Sequence, residues 1–242
     1  MHGTELNTIL FDLDGTLLPM EQDAFVEAYL GLLGKRAAAL GYDPAAFIRA
    51  LWKGSAAMMQ NDGAAPNQKR FWDTFAQLLG PAVLELEGEL EDFYATDFNQ
   101  ARSVVGSVPD VRGLLRCLRD KGYGVALATN PLFPPVAVAS RLGWVGLSPA
   151  DFDHITTYQN SRYCKPSLGY YQELLAALGR TPGQCMMVGN NPVDDMAASQ
   201  LGLRVFLLTD HLENPGGLDI SAYPHGDFSG LAALAAALPR VR

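Results

Sequence analysis

Cysteine is scarce: Cys117, Cys164 and Cys185 are the three in 242 residues, and no C-x-x-C pair occurs. Three thiols make no disulfide framework, so reduced cysteines in a cytoplasmic protein are expected. Histidine is also rare, and His2, His154, His211 and His225 show no metal-ligand spacing. Positive charge is short, with 18 Lys plus Arg against 26 Asp plus Glu, a net −8 and a pI near 4.9. That balance excludes a non-specific grip on nucleic acid or on an anionic membrane. It leaves room for a local basic pocket. No long hydrophobic run exists; the longest aliphatic stretch, Leu231 to Leu238, is far too short to span a bilayer. Met1 to Thr8 is polar, so no signal peptide is expected. The patterns G-x-x-x-x-G-K-[ST], G-x-S-x-G and H-E-x-x-H are all missing, which removes P-loop, nucleophile-elbow and zincin chemistry.

What is present is a globular composition, 48% hydrophobic and 18% charged. Leu6 to Leu13 carries the apolar centre Ile9-Leu10-Phe11, which suits a strand buried on both faces. It runs into Asp12-Leu13-Asp14-Gly15-Thr16, where Gly15 breaks it. From Pro19 to about Val104 the apolar residues recur at helical spacing. Asp43-Pro44 reads as an N-cap and first turn, and Gly80-Pro81 as a stop. The fourth helix of this stretch carries Val83, Leu86, Leu90, Phe93 and Tyr94. Its acidic run, from Glu85 to Asp97, contains no basic residue and reads as a solvated face.

Beyond Val104 the pattern alternates between helix and strand. Strands are expected at Gly124–Thr129, His154–Thr157, Cys185–Gly189 and Arg204–Leu208. Helices are expected at Pro109–Lys121, Pro135–Leu142, Ser167–Leu178, Val193–Leu201 and Ser229–Leu238. The fold class is therefore α/β: a parallel sheet with an all-helical insertion after its first strand.

Open α/β sheets bind ligands at the carboxyl ends of their strands. After the first strand come Asp12 and Asp14, after the second Thr129 and Asn130. Beyond the third comes Lys165, and after the fourth come Asn190, Asn191, Asp194 and Asp195. Each has a bland reading as a turn or loop residue. Four such groups on one sheet edge need a shared reason. A carboxylate can attack phosphorus to give an acyl phosphate, and a second, two residues on, can act as general acid and then base. Acidic oxygens suit Mg²⁺. A hydroxyl and a lysine suit the non-bridging oxygens of a transferring phosphoryl group.

These segments resemble the haloacid dehalogenase-like hydrolase superfamily. Asp12-Leu13-Asp14-Gly15-Thr16-Leu17-Leu18 resembles its first motif, and Leu127-Ala128-Thr129-Asn130 its second. Lys165-Pro166 resembles the third, and Met187 to Asp195 the fourth. The resemblance implies a Rossmannoid sheet of order 5-4-1-2-3, with residues 1–18 and 105–242 as catalytic core and 19–104 as a helical cap of the phosphoglycolate-phosphatase kind. It implies a Mg²⁺-dependent phosphatase acting on a small phosphorylated metabolite. Asp12 would be nucleophile and metal ligand, and Asp14 general acid/base with its backbone carbonyl on the metal. Gly15, Thr129 and Asn130 would bind the phosphoryl group, and Lys165 would stabilise the transferring charge. Asn190 and Asp195 would complete the metal site.

One position departs from the resemblance: Asn190 stands where the family usually has Asp, which removes a negative charge from the metal site. Asp194 is the alternative to Asp195, on a shorter spacing. The departure keeps a second reading open, a phospho-ligand binding protein with a weakened site. A dehalogenase is a lesser alternative, because family dehalogenases carry Tyr in place of Asp14. Cys164 reads as a spectator thiol. Trp52, Trp72 and Trp144 read as packing, and Lys53, Lys69 and Arg70 as solvated cap residues. Arg162 and Tyr163 read as supporting neighbours of Lys165. The sequence is silent on oligomeric state and on the substrate.

Overall fold

The computed structural model describes residues 5–241. Met1–Thr4 and Arg242, the outer ends of the expected core, lie outside the described residues, as does half of the stretch read for a signal peptide. Six strands form one parallel sheet: β1 (Thr8–Phe11), β2 (Gly124–Leu127), β3 (His154–Ile155), β4 (Cys185–Gly189), β5 (Arg204–Leu208) and β6 (His225–Gly226). Their spatial order is β3-β2-β1-β4-β5-β6. The expected five-strand order is present, and short β6 is added beyond β5.

β1 is central and buried at every position. Leu10 faces Ala126 on one side and Met187 on the other. Ile9 and Phe11 pack into one apolar cluster and Leu10 into a second, so the consecutive apolar residues serve opposite faces of the sheet. The described residues form eight α-helices: α1 (Gln22–Ala39), α2 (Pro44–Met59), α3 (Asn67–Leu79), α4 (Glu87–Ala95), α5 (Val111–Asp120), α6 (Pro135–Trp144), α7 (Leu168–Leu178) and α8 (Phe228–Ala237). Asp43, Asp110 and Ser167 cap α2, α5 and α7 through side-chain bonds to Ala46, Gly113 and Gly169 N–H. No described helix is long and apolar enough to cross a membrane.

Helices α1 to α4 lie between β1 and α5, with no strand among them. Phe25, Tyr29, Tyr94 and Phe98 pack around Phe133, which follows β2, and Phe93 packs on Phe98 behind them. The chain's two crossings between this helical block and the sheet run side by side, tied by Gly106 N–H donating to Pro19 C=O at 2.8 Å.

Four expectations change. The fourth helix splits: Pro81–Leu86 and Asp97–Val104 are 3₁₀, and only Glu87–Ala95 is α. The acidic run is not merely solvated, because Arg36 of α1 pairs with Asp92 and Asp97, each at 2.9 Å, and with Glu89 at 3.6 Å. β3 ends at Ile155, where the Thr156 hydroxyl turns to Thr129 C=O at 2.7 Å. The helix expected from Val193 becomes a turn followed by 3₁₀ at Met196–Leu201. Asn191 Oδ1 accepts from Val193 and Asp194 N–H, both at 2.9 Å, so a local side-chain bond competes with the helical one.

Candidate active site

The site lies at the carboxyl ends of β1, β2 and β4. Asp12 is the first residue beyond β1, and its N–H donates to Val188 C=O at 2.9 Å. The chain then closes a tight loop: Gly15 N–H donates to Leu18 C=O and Leu18 N–H to Leu13 C=O, both at 2.8 Å. Gly15 has φ of +76°, and a Cβ there would collide with the Asn190 side chain. Glycine is thus required both by backbone and by space.

Lys165 joins two strands' loops. Its Nζ donates to Asp12 Oδ1 at 2.8 Å and to Asp195 Oδ1 at 2.6 Å, with the ammonium almost wholly buried. Burial pushes the Asp12 carboxyl up to about 7; Lys165 opposes this, and Asp195 and Asp14 add to it. Burial works against the Lys165 charge, yet Asp12 and Asp195 outweigh it and hold the ammonium well above its ordinary value. Asp195 Oδ2 accepts Asn191 N–H at 3.0 Å, and a Cβ at Gly189 would strike the Asp195 carboxyl. Asp195, not Asp194, is the one brought to Lys165. Asp194 is half-buried, and burial lifts its carboxyl to about 6, against Lys165 and with Asp195 and Glu213.

Thr129 is buried, and its C=O accepts from the Thr156 and Tyr170 hydroxyls at 2.7 and 3.1 Å. Asn130 Oδ1 accepts Lys165 N–H at 3.3 Å, linking the loops after β2 and β3. Asn190 is held at both ends: its Oδ1 accepts from the Thr16 hydroxyl at 3.3 Å, and its Nδ2 donates to His211 C=O at 2.6 Å. An Asp there would set a carboxylate oxygen against that carbonyl, so the departure at 190 is specified by its surroundings. Asp14, Gly15 and Asn190 open onto a cavity of about 470 Å³ that also meets Glu21, His211 and Glu213.

Asp14 has a partner absent from the sequence reading. Arg141 of α6, fully buried, forms an ion pair with Asp14 Oδ2. Its guanidinium carbon lies 4.3 Å from the centre of the Phe133 ring. Arg141 Nε and NH2 and Asp14 Oδ1 are buried without partners. In the sequence Arg141 is one basic residue in a helix's last turn, where a solvated cation is ordinary; only the tertiary structure turns it inward.

The other candidates stay apart. Lys69 pairs with Asp73 and Arg70 with Asp62, at 2.9 and 2.8 Å on the surface, and Lys53 is exposed. Arg162 N–H donates to Glu173 at 2.8 Å. Cys164 is buried, which pushes its thiol up to about 12. Trp52, expected to pack in the core or the cap, is 50% exposed on α2 of the helical block.

Among the described residues no three His, Cys, Asp or Glu side chains converge as a metal cage. Mg²⁺ does not need one, since it keeps several waters and binds through one or two carboxylates plus substrate phosphate. Asp12 Oδ2, free of the Lys165 contact, the Asn190 amide oxygen and the Asp14 backbone carbonyl fit that pattern with low negative charge.

The family model described as haloacid dehalogenase-like hydrolase matches residues 6–202. A curated pyrophosphatase, PpaX of Anoxybacillus flavithermus, is 25% identical over 199 residues, covering 82% of this chain and 81% of its own. A crystal structure of a HAD phosphatase from Thermococcus onnurineus superposes with TM-score 0.62 at 20% identity, over 98% of this chain and 100% of that one. A 2-haloacid dehalogenase from Pseudomonas syringae pv. Tomato superposes with TM-score 0.59 at 22% identity, over 95% and 96%. At these identities the two structures share the fold alone.

Proposed function

Because the chain belongs to the haloacid dehalogenase-like hydrolases, we propose that it is a phosphatase that hydrolyses a small phosphorylated metabolite through an aspartyl-phosphate on Asp12, with Mg²⁺ as cofactor. The observation that carries this reading is the buried Asp12–Lys165–Asp195 array, with Asp14 two residues beyond Asp12 on the solvent cavity. The phosphatase names of relatives such as PpaX support it. The helical block of residues 19–104 serves as the cap.

Lys165 donates to Asp12 Oδ1 and so orients the carboxylate for attack on phosphorus. Asp14 gives its proton to the departing alcohol oxygen, and then takes one from the water that cleaves the acyl phosphate. Arg141 holds Asp14 in place. Thr129 and the Asn130 backbone receive the phosphoryl oxygens, on a loop braced by Thr156 and Tyr170. Asp12, Asn190 and the Asp14 carbonyl would hold Mg²⁺, which supplies Lewis-acid stabilisation of phosphoryl charge.

The test is p-nitrophenyl phosphate turnover with and without Mg²⁺, for the wild type and Asp12→Asn. Turnover that needs Mg²⁺ and vanishes in Asp12→Asn supports the reading. Turnover undiminished in Asp12→Asn overturns it. Asn190, which leaves the metal site one negative charge short of the family pattern, favours one second reading, a phospho-ligand binding protein. Thermal stabilisation by phosphometabolites without phosphate release would select that reading. Asp14, in place of the dehalogenase Tyr, argues against halide displacement.

A further inference from the structure

A second cavity, of about 230 Å³, lies between α1, α2, α3, α4 and residues 132–134. It is larger than the roughly 150 Å³ apolar void that accommodates benzene. Aromatic and aliphatic side chains share its wall; the rings include Phe25, Tyr29, Trp72, Tyr94, Phe133 and Tyr158, with half-exposed Trp52 at its edge. No described lining residue is Lys, Arg or His; its two charged residues are Glu87 and Glu91.

Those two carboxylates are the members of the acidic run that line the cavity. Arg36 pairs with Glu89, Asp92 and Asp97, one guanidinium shared among three carboxylates. Glu87 receives a neutral hydrogen bond from Gln68 at 2.6 Å, and neither it nor Glu91 has a cation among the described residues. At i, i+4 on α4 they share one face, an arrangement that is repulsive by itself. Independently, Trp72, only 8% exposed, has a buried indole N–H with no hydrogen-bond partner. The Tyr158 hydroxyl lies within its reach, so a ligand oxygen would compete with that contact.

We propose that this cavity binds an organic cation that carries one acceptor oxygen, an alkanolammonium group. Aromatic faces attract such a cation, Glu87 and Glu91 supply the countercharge, and Trp72 donates to its oxygen. An inorganic phosphate or other anion finds no partner there. The group is either the far end of the phosphorylated substrate's alcohol, its acceptor oxygen distinct from the ester oxygen that Asp14 protonates, in which case the inference rests on the phosphatase reading, or a free ligand. Both sources are close to the chemistry. Residues 132–134 directly follow the Thr129–Asn130 loop, Gln22 lines this cavity and the one at Asp14, and Phe133 carries the Arg141 that pairs with Asp14.

The test uses three probes of one shape: choline, its neutral isostere 3,3-dimethylbutan-1-ol, and 3,3-dimethylbutanoate. Trp52 and Trp72 report binding by fluorescence. Choline is expected to bind saturably, about tenfold tighter than the alcohol, with no binding of the anion. Glu87→Gln combined with Glu91→Gln should bring choline within about twofold of the alcohol, while Glu89→Gln leaves the preference intact. Absence of saturable choline binding overturns the proposal, as does a preference that survives the double variant in protein with wild-type circular dichroism. With p-nitrophenyl phosphate, choline raising KM at constant kcat identifies the alcohol subsite, and a change in kcat at constant KM identifies a separate ligand; both keep the site. If no variant or condition gives turnover, the phosphatase reading fails while the fluorescence titration still decides this one.

Discussion

Replacing Arg141 by Met keeps most of the aliphatic stem and removes the guanidinium from beside Asp14. Removing one partner of a fully buried ion pair costs about 3–5 kcal/mol. The Asp14 side chain is 21% exposed, so water re-solvates part of its charge and the loss falls to about 2 kcal/mol. Loss of the contact with Phe133 adds about 1 kcal/mol. Against this, Arg141 Nε and NH2 are buried and unpartnered, and removing them recovers roughly 1 kcal/mol each. The net cost of Arg141→Met is therefore only about 1 kcal/mol, or about 2–4 °C in Tm for a chain of this size. The single variant hides the pair. A double-mutant cycle with Asp14→Asn exposes it, because the desolvation of Arg141 cancels, and a coupling of about 2 kcal/mol is expected from urea titrations. In turnover, Arg141→Met should lower kcat by about tenfold or more with KM little changed, since Asp14 loses its orientation. A coupling below about 0.5 kcal/mol, or wild-type kcat, would refute the reasoning.

Other outcomes follow from the same geometry. Asp12, raised from 3.8 to about 7, keeps its proton in the folded metal-free protein where the unfolded chain has lost it. Its stabilising contribution is complete below its ordinary value and fades as pH rises through about 7. Urea titrations from pH 5 to 8 should show a decline that Asp12→Asn lacks, and an identical decline in both sinks the assignment. Asn190→Asp places a carboxylate beside His211 C=O, so the metal-free protein should lose about 1–2 kcal/mol while Mg²⁺ binds more tightly by calorimetry. Unchanged affinity would remove position 190 from the metal site. Cys164 and Cys185, buried with thiols raised to about 12 and 11, should resist a disulfide reagent at pH 8. Cys117 should react first, and three equal rates would contradict the burial.

The sheet is legible because β1, β2, β4 and β5 are short, mostly apolar runs, and a buried parallel strand has little freedom to read otherwise. The carboxyl-end rule puts Asp12, Thr129, Lys165, Asn190 and Asp195 on one edge of the sheet, and the structure joins Asp12, Lys165 and Asp195 directly. Three kinds of feature escaped. Asn191 diverts the backbone by bonding to Val193 and Asp194 N–H, which overrides the apolar pattern that suggested a helix. Arg36 and Arg141 act across 50 residues or more of chain, and no local pattern distinguishes them from surface arginines. β6 has two residues, too few for periodicity to register.

The bond from Gly106 to Pro19 brings the two ends of an 86-residue excursion within touching distance. Topologically, the excursion is a cassette: a short glycine turn could replace it, and a different helical bundle could be spliced between the same two residues, without shifting any strand. Energetically it is no loose attachment. Phe133 and Trp144, which remain on the sheet side, would face water once Phe25, Tyr29 and Phe98 departed. A graft that succeeds must bring its own aromatic or aliphatic cover for those two rings, so portability of the connection and portability of the module are separate properties.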